Sequence, residues 1–170
     1  MSLHQLFNER VKFGDYCSIN AVPLMFEKDT HDLIENKDRK VMIGDGTIIG
    51  NRVTIMGGFH GTTVIGRNVK IWDGSVIGHD CKIGDNVAMV TNVTLNGGVE
   101  VGEWTHIASG VVVKPKVKIG KFCLIGVGAV VVKDIPDYSV AYGNPAKVVK
   151  ENIWRPIGIP KQMVKGEQDD

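Results

Sequence analysis

Aromatic residues make up only 6% of this 170-residue chain, although 43% of it is hydrophobic. A core without rings must be filled by aliphatic side chains in a narrow space, which favours a solenoid over an ordinary globular interior. Cysteine is equally scarce. Three thiols, an odd number with no C-x-x-C spacing, fit neither a disulfide framework nor a cysteine-ligated zinc site. They point to reduced thiols and a cytoplasmic location. Charge of either sign is nearly balanced at +1, so no nucleic-acid-binding surface is expected. No run of eighteen apolar residues exists, so no transmembrane helix or membrane partner is expected. The N-terminus has no signal-peptide-like apolar stretch, and secretion is not expected.

What the chain has in abundance is glycine, 21 residues, and a period. From Ile65 to Pro136 it divides without a gap into twelve blocks of six, such as IGRNVK, IWDGSV, IGHDCK and IGDNVA. The first position is always aliphatic (Ile65, Ile71, Ile77, Ile83, Met89, Leu95 and onward). The fifth is small or β-branched, as in Val69, Ser75, Cys81 and Val87. Two inward positions per six residues do not fit a helical period. They read as a hexapeptide-repeat parallel β-helix.

The rest of the chain reads as attachments to one domain, residues 1–170. Residues 1–22 form an irregular cap around Phe13-Gly14-Asp15-Tyr16-Cys17-Ser18, because a bare coil end would expose apolar side chains and strand edges. Residues 23–40 are a charged excursion, and insertions in repeat proteins gather on the binding face. Regular coils run over 41–136, interrupted where Gly61-Thr62-Thr63-Val64 adds four residues after the Gly57-Gly58 pair and requires a bulge or protruding loop. Residues 137–158 turn off the solenoid into a short helix over 146–154 ended by Pro156. The tail, 159–170, is polar and expected to fray.

Periodicity leaves the hand of the coil open, and general crossover chirality leans right-handed. More follows from the IGxxxx blocks, from Ile125-Gly126-Val127-Gly128-Ala129-Val130 and from Gly143-Asn144-Pro145-Ala146-Lys147. Over roughly residues 41–150 these strongly resemble the hexapeptide-repeat acyltransferases. The resemblance implies an all-β, left-handed parallel β-helix with three hexapeptides per coil. It also implies a homotrimer with active sites between subunits and acetyl-CoA as co-substrate. Ile77-Gly78-His79-Asp80-Cys81-Lys82 is similar to the His-Asp-Cys segment of two branches. One is the UDP-N-acetylglucosamine O-acyltransferases; the other is the nucleotide-sugar N-acetyltransferases of the bacillosamine and perosamine type. In both, the matching histidine is the catalytic base. The chain departs from each, with Gly98 and Ala88 where those branches place further histidines.

Acetyl transfer from a thioester needs a base near neutrality, and His79 suits it with Asp80 to orient the ring. His60 is the competing base or a substrate-binding residue, beside Phe59 and Gly58, in the manner of the serine and galactoside O-acetyltransferases. Trp72 and Asp73, one block before His79, are further substrate-binding candidates. Ser109, Gly110, Gly128 and Ala129 offer bare backbone for a pantetheine arm, with Gly126 alongside. Lys133 and Lys147 would meet coenzyme A phosphates. Lys114, Lys116 and Lys118 read as a solvated edge or as a phosphate-attracting one. His106 is expected at the surface near a corner. No metal is expected, since five residues after His79, where β-helix carbonic anhydrases repeat a histidine, stands Gly84. The expected reaction is acetylation of a sugar or nucleotide-sugar amine. The alternatives are O-acetylation of a hydroxyl and a non-catalytic β-helix that binds or scaffolds.

Overall fold

Each hexapeptide folds as a two-residue strand followed by a four-residue corner. The strand takes the last position of one block and the first of the next, as in Lys70–Ile71, Val76–Ile77 and Lys82–Ile83. Strand alternation turns the second residue of each pair inward, and Ile71, Ile77 and Leu95 are completely buried. These assignments come from a computed structural model that describes residues 11–20 and 40–152.

Three hexapeptides close a coil, so each strand pairs in parallel with those 18 residues before and after it: Ala88 faces Lys70 on one side and His106 on the other. Among the described residues the stacked strands form three sheets of eight, six and five strands. The first sheet contains Lys70–Ile71, Ala88–Met89, His106–Ile107 and Leu124–Ile125. The second contains Ser18–Asn20, Thr54–Met56, Val76–Ile77, Thr94–Leu95 and Val112–Val113. The third contains Lys40–Ile43, Thr62–Ile65, Lys82–Ile83, Glu100–Val101 and Lys118–Ile119.

The corners share one device, a left-handed residue at the fourth position. Asn68, Asp80, Asn86 and Asn92 have φ between 54° and 60°, and Gly98, Gly110 and Gly128 between 66° and 72°. Asn, Asp and Gly adopt this region at low cost, which explains their recurrence there. The fifth position then re-enters the core. Where it is a hydroxyl it is satisfied by backbone: Thr47 donates to the Gly66 carbonyl at 2.9 Å and Thr105 to that of Gly120 at 2.7 Å. Each fully buried Ile of the inner stack contributes on the order of 1.5–3 kcal/mol.

Three regions depart from the sequence expectation or refine it. The four extra residues before Ile65 do not shift the register, because Ile55 pairs with Ile77 and Ile65 with Ile83. Residues 57–61 instead bulge out at the corner between the second and third sheets, and the Thr63 hydroxyl closes the loop by donating to the Met56 carbonyl at 2.7 Å. The expected C-terminal helix is a correction: Ala146–Glu151 is a strand, antiparallel to Ser139–Gly143. The free edge of the first sheet at Leu124–Ile125 templates this hairpin by pairing with Val140 and Ala141. Pairing that edge satisfies backbone groups a helix would leave open. The early repeat at Phe13 is a true coil, since Lys12–Phe13 and Ser18–Asn20 pair with Ile48–Ile49 and Thr54–Met56. Residues 1–10, 21–39 and 153–170, which include nearly all of the expected excursion over 23–40 and the whole tail, lie outside the described residues. The excursion leaves the second sheet at Asn20 and rejoins the third at Lys40, which brackets the same corner as the 57–61 bulge.

Candidate active site

His79 and Asp80 hold the third and fourth positions of that corner one coil further on. Asp80 tolerates the φ of 57° that the turn demands. Its carboxylate accepts hydrogen bonds from the backbone N–H of Phe59, at 3.0 and 3.1 Å, and of His60, at 3.2 and 3.3 Å. It also lies 2.9 Å from His79 Nδ1. An ionised carboxylate only accepts, so the ring proton belongs on Nδ1, which leaves Nε2 as the nitrogen able to accept a proton. Burial pushes the Asp80 carboxyl up. Hydrogen bonds from the His79 ring and from the Phe59 and His60 amides outweigh that and hold it below the usual carboxylate range.

The ring is fixed on its other sides as well. Phe59 packs edge-on against it, with centroids 5.1 Å apart and planes at 74°. Below it lies Gly97, where a Cβ would stand 2.5 Å from His79 Cε1 and closer still to Nε2. Glycine is required at position 58 too, because a Cβ there would collide with the Gly61 carbonyl. The result is a cleft of about 580 Å3 whose wall includes His60, His79, Gly97, Gly98 and Lys116. His60 and His79 therefore share one cleft.

Ser109, Gly110 and Gly128 occupy a different edge, the corner between the first and second sheets. Gly110 and Gly128 stack with φ of 71° and 66°; a Cβ at Gly128 would meet nothing within 4 Å. Beside them Val127 is 77% exposed. This edge is bare backbone open to a flat or extended ligand. Ala129 takes no part in it: it is fully buried in the coil interior. One chain thus does not bring His79 and this backbone strip together.

A family model described as bacterial transferase hexapeptide (six repeats) matches residues 62–97. The chain belongs to the hexapeptide-repeat superfamily. Its solenoid is the all-β, left-handed parallel β-helix. An acyl-[acyl-carrier-protein]–UDP-N-acetylglucosamine O-acyltransferase of Pseudomonas savastanoi pv. phaseolicola is 33% identical to this hexapeptide-repeat chain over 130 residues. That match covers 74% of the chain and 50% of the relative. Perosamine N-acetyltransferase from Caulobacter crescentus, solved with CoA and GDP-perosamine, is 35% identical with a TM-score of 0.61, over 65% of this chain and 51% of that one. The UDP-N-acetylglucosamine acyltransferase of Francisella novicida is 32% identical with a TM-score of 0.75, over 84% and 52%. The chain spans about half the length of the relatives it matches.

The other candidate residues of this hexapeptide-repeat protein fall outside the His79 cleft. Asp73 is tied into the solenoid: its carboxylate accepts from the Asn51 backbone at 2.9 Å and the Asn51 side chain at 3.0 Å, and those bonds hold it below its ordinary range. Trp72, 45% exposed, stands on the edge that also carries Ser109. Lys133 lies on the His79 edge, and Lys147 is exposed on the hairpin. His106 lines a separate recess of about 260 Å3 with Cys123, Leu124 and Asn152, and burial lowers its pKa. Cys81 is buried, and burial pushes its thiol up to about 11, which removes it as a nucleophile. Among the described residues no group of three or more His, Cys, Asp or Glu could hold a metal ion, and no helix is long and apolar enough to cross a membrane. Gly97 lines the cleft without having been singled out by a local motif, and Lys116, read from sequence only as part of a solvated or phosphate-attracting edge, lines it too. Counting in eighteens from His79 and Asp80 would have placed both at this corner.

Proposed function

We propose that the protein is an acetyl-CoA-dependent acetyltransferase that acetylates an amino group of a sugar or nucleotide-linked sugar, with His79 as general base. The observation that carries this is the pinned imidazole: Nδ1 on Asp80, and the ring on the wall of a cleft. Nε2 takes the proton from the acceptor nitrogen as it attacks the thioester carbonyl. The tetrahedral oxyanion collapses, the carbon–sulfur bond breaks, and the imidazolium returns the proton to the departing thiolate. Asp80 stabilises the imidazolium meanwhile. The CoA-bound perosamine N-acetyltransferase supports both donor and acceptor class. The curated relatives, named as O-acyltransferases, support a second reading in which a hydroxyl attacks.

The separation of His79 from the Ser109–Gly110–Gly128 edge supports a homotrimer, in which one subunit's base faces the next subunit's open backbone. In that arrangement acetyl-CoA lies between subunits, with Lys133 and Lys147 near its phosphates, and the enzyme works in the cytoplasm without a metal. The test is thiol release from acetyl-CoA with amino-sugar nucleotides against hydroxyl acceptors, for wild type, His79→Ala and His60→Ala. Loss confined to His60→Ala would move the base to His60. Light scattering that gives a monomer would remove the shared groove.

A further inference from the structure

The corner between the second and third sheets carries side chains on the His79–Asp80 coil and on the Pro115–Lys116 coil. Between them stand Gly97 and Gly98, with none. Adjacent coils are about 4.8 Å apart, so the missing layer opens a slot between His79 and Lys116. Both flanking groups lean into it. The His79 ring lies over Gly97, and the Lys116 stem lies over Gly98, with Cγ 3.3 Å from where a Cβ would stand.

The charges around the slot are unequally paired. Glu100, on its wall, is held between two lysines, 4.0 Å from Lys82 Nζ and 3.3 Å from Lys118 Nζ. Asp80 is occupied by His79 and two amides. Lys116 has no carboxylate within 4.0 Å among the described residues, so its ammonium lines the slot without an ion-pair partner. Placing a cation beside a general base costs something unless a ligand anion completes it, because a like charge opposes formation of the imidazolium.

We propose that Lys116 is a specificity-determining residue that binds an anionic group of the acceptor, a phosphate or carboxylate, carried close to the nucleophile. This rests on the acetyltransferase reading for its meaning but not for its test. The anion fixes the acceptor over the glycine pair with its nucleophilic atom at His79 Nε2, and it offsets the lysine charge as the imidazolium forms. A neutral monosaccharide leaves the ammonium unsatisfied and is discriminated against.

The test is a titration of the 170-residue protein with inorganic pyrophosphate and, separately, with citrate, followed by the His79 ring resonances in NMR. Wild type should show a saturable shift at His79. Lys116→Gln should weaken binding by about tenfold to hundredfold, the range for one charge-assisted hydrogen bond, and Lys116→Arg should restore it. Equal binding by Lys116→Gln, or no shift at His79 in wild type, overturns the proposal. Pyrophosphate alone shifting His79 assigns a phosphate; citrate alone assigns a carboxylate. Turnover is the second arm: glucosamine 1-phosphate should exceed glucosamine by tenfold or more in kcat/KM, with the Lys116→Gln loss confined to KM. Anion binding at Lys116 without thiol release on any acceptor would sink the acetyltransferase reading and leave this inference standing. Thiol release with equal use of both sugars would do the reverse.

Discussion

If His79 is the base, replacing Gly97 by alanine should disable catalysis without unfolding the protein. Gly97 has no positive φ, so its backbone accepts an L side chain. The new Cβ would stand 2.5 Å from His79 Cε1, where ordinary contact begins at 3.4 Å, so the ring must retreat by about 1 Å. It can do so, because the His79 side chain is 36% exposed and the cleft is open beside it. Retreat takes Nδ1 off Asp80 and Nε2 off its target. A misplacement of about 1 Å costs on the order of a hundredfold in rate, while an accommodated surface change costs about 0.5 kcal/mol or less. The control is Gly78→Ala, whose Cβ would lie 2.7 Å from the Gly97 nitrogen and 2.8 Å from the Asn96 carbonyl carbon. Backbone in a stacked coil does not yield, so that variant should lose about 1–3 kcal/mol. Thiol-release kinetics and denaturant melts on both variants separate the effects. Wild-type turnover with an unmoved His79 resonance in Gly97→Ala would refute the reasoning.

Asp80→Asn should flatten the acid limb of stability. The folded Asp80 pKa lies below its ordinary 3.8, so its contribution is complete above that value and is lost as pH falls through the folded one. Chemical denaturation at several pH values below 4 should show a shallower decline for the variant, and an identical slope would count against the hydrogen-bond network. Val101→Asp should destabilise by several kcal/mol and melt neighbouring coils together, since Val101 is 3% exposed and the aspartate would have no partner. A melt within 1 kcal/mol of wild type, an order-of-magnitude threshold, would deny the inward position. Iodoacetamide at neutral pH should leave Cys81 unmodified in the native protein and label it after denaturation, as read by mass spectrometry; native labelling would contradict its burial.

Much of this architecture was legible because its code is short. Ile65, Ile71 and Ile77 announce the inward face, and the fourth-position Asn and Gly announce the corners. Once three blocks make a coil, every eighteenth residue shares an edge, and that count joins His79 to Gly97, Pro115 and Lys133 and separates them from Ser109. Asp73 resisted, because its two bonds to Asn51 depend on a neighbouring coil that a local motif does not show. Ala129 follows the fifth-position rule and belongs inside, however suggestive its glycine neighbours. The strand Ala146–Glu151 carries a helix-like local pattern, but local propensity is weak beside the pull of an unpaired sheet edge. The clamp on Asp80 by the Phe59 and His60 amides required the bulge's conformation, which composition alone does not fix.

The central claim, that His79 is the base of an acetyl transfer, is tested most directly by thiol release from acetyl-CoA with an amino-sugar nucleotide acceptor, wild type against His79→Ala and His79→Gln. The account predicts turnover in wild type, a fall of about a hundredfold or more in both variants, and coenzyme A binding unchanged by calorimetry. Turnover within a few-fold of wild type in His79→Ala would contradict it.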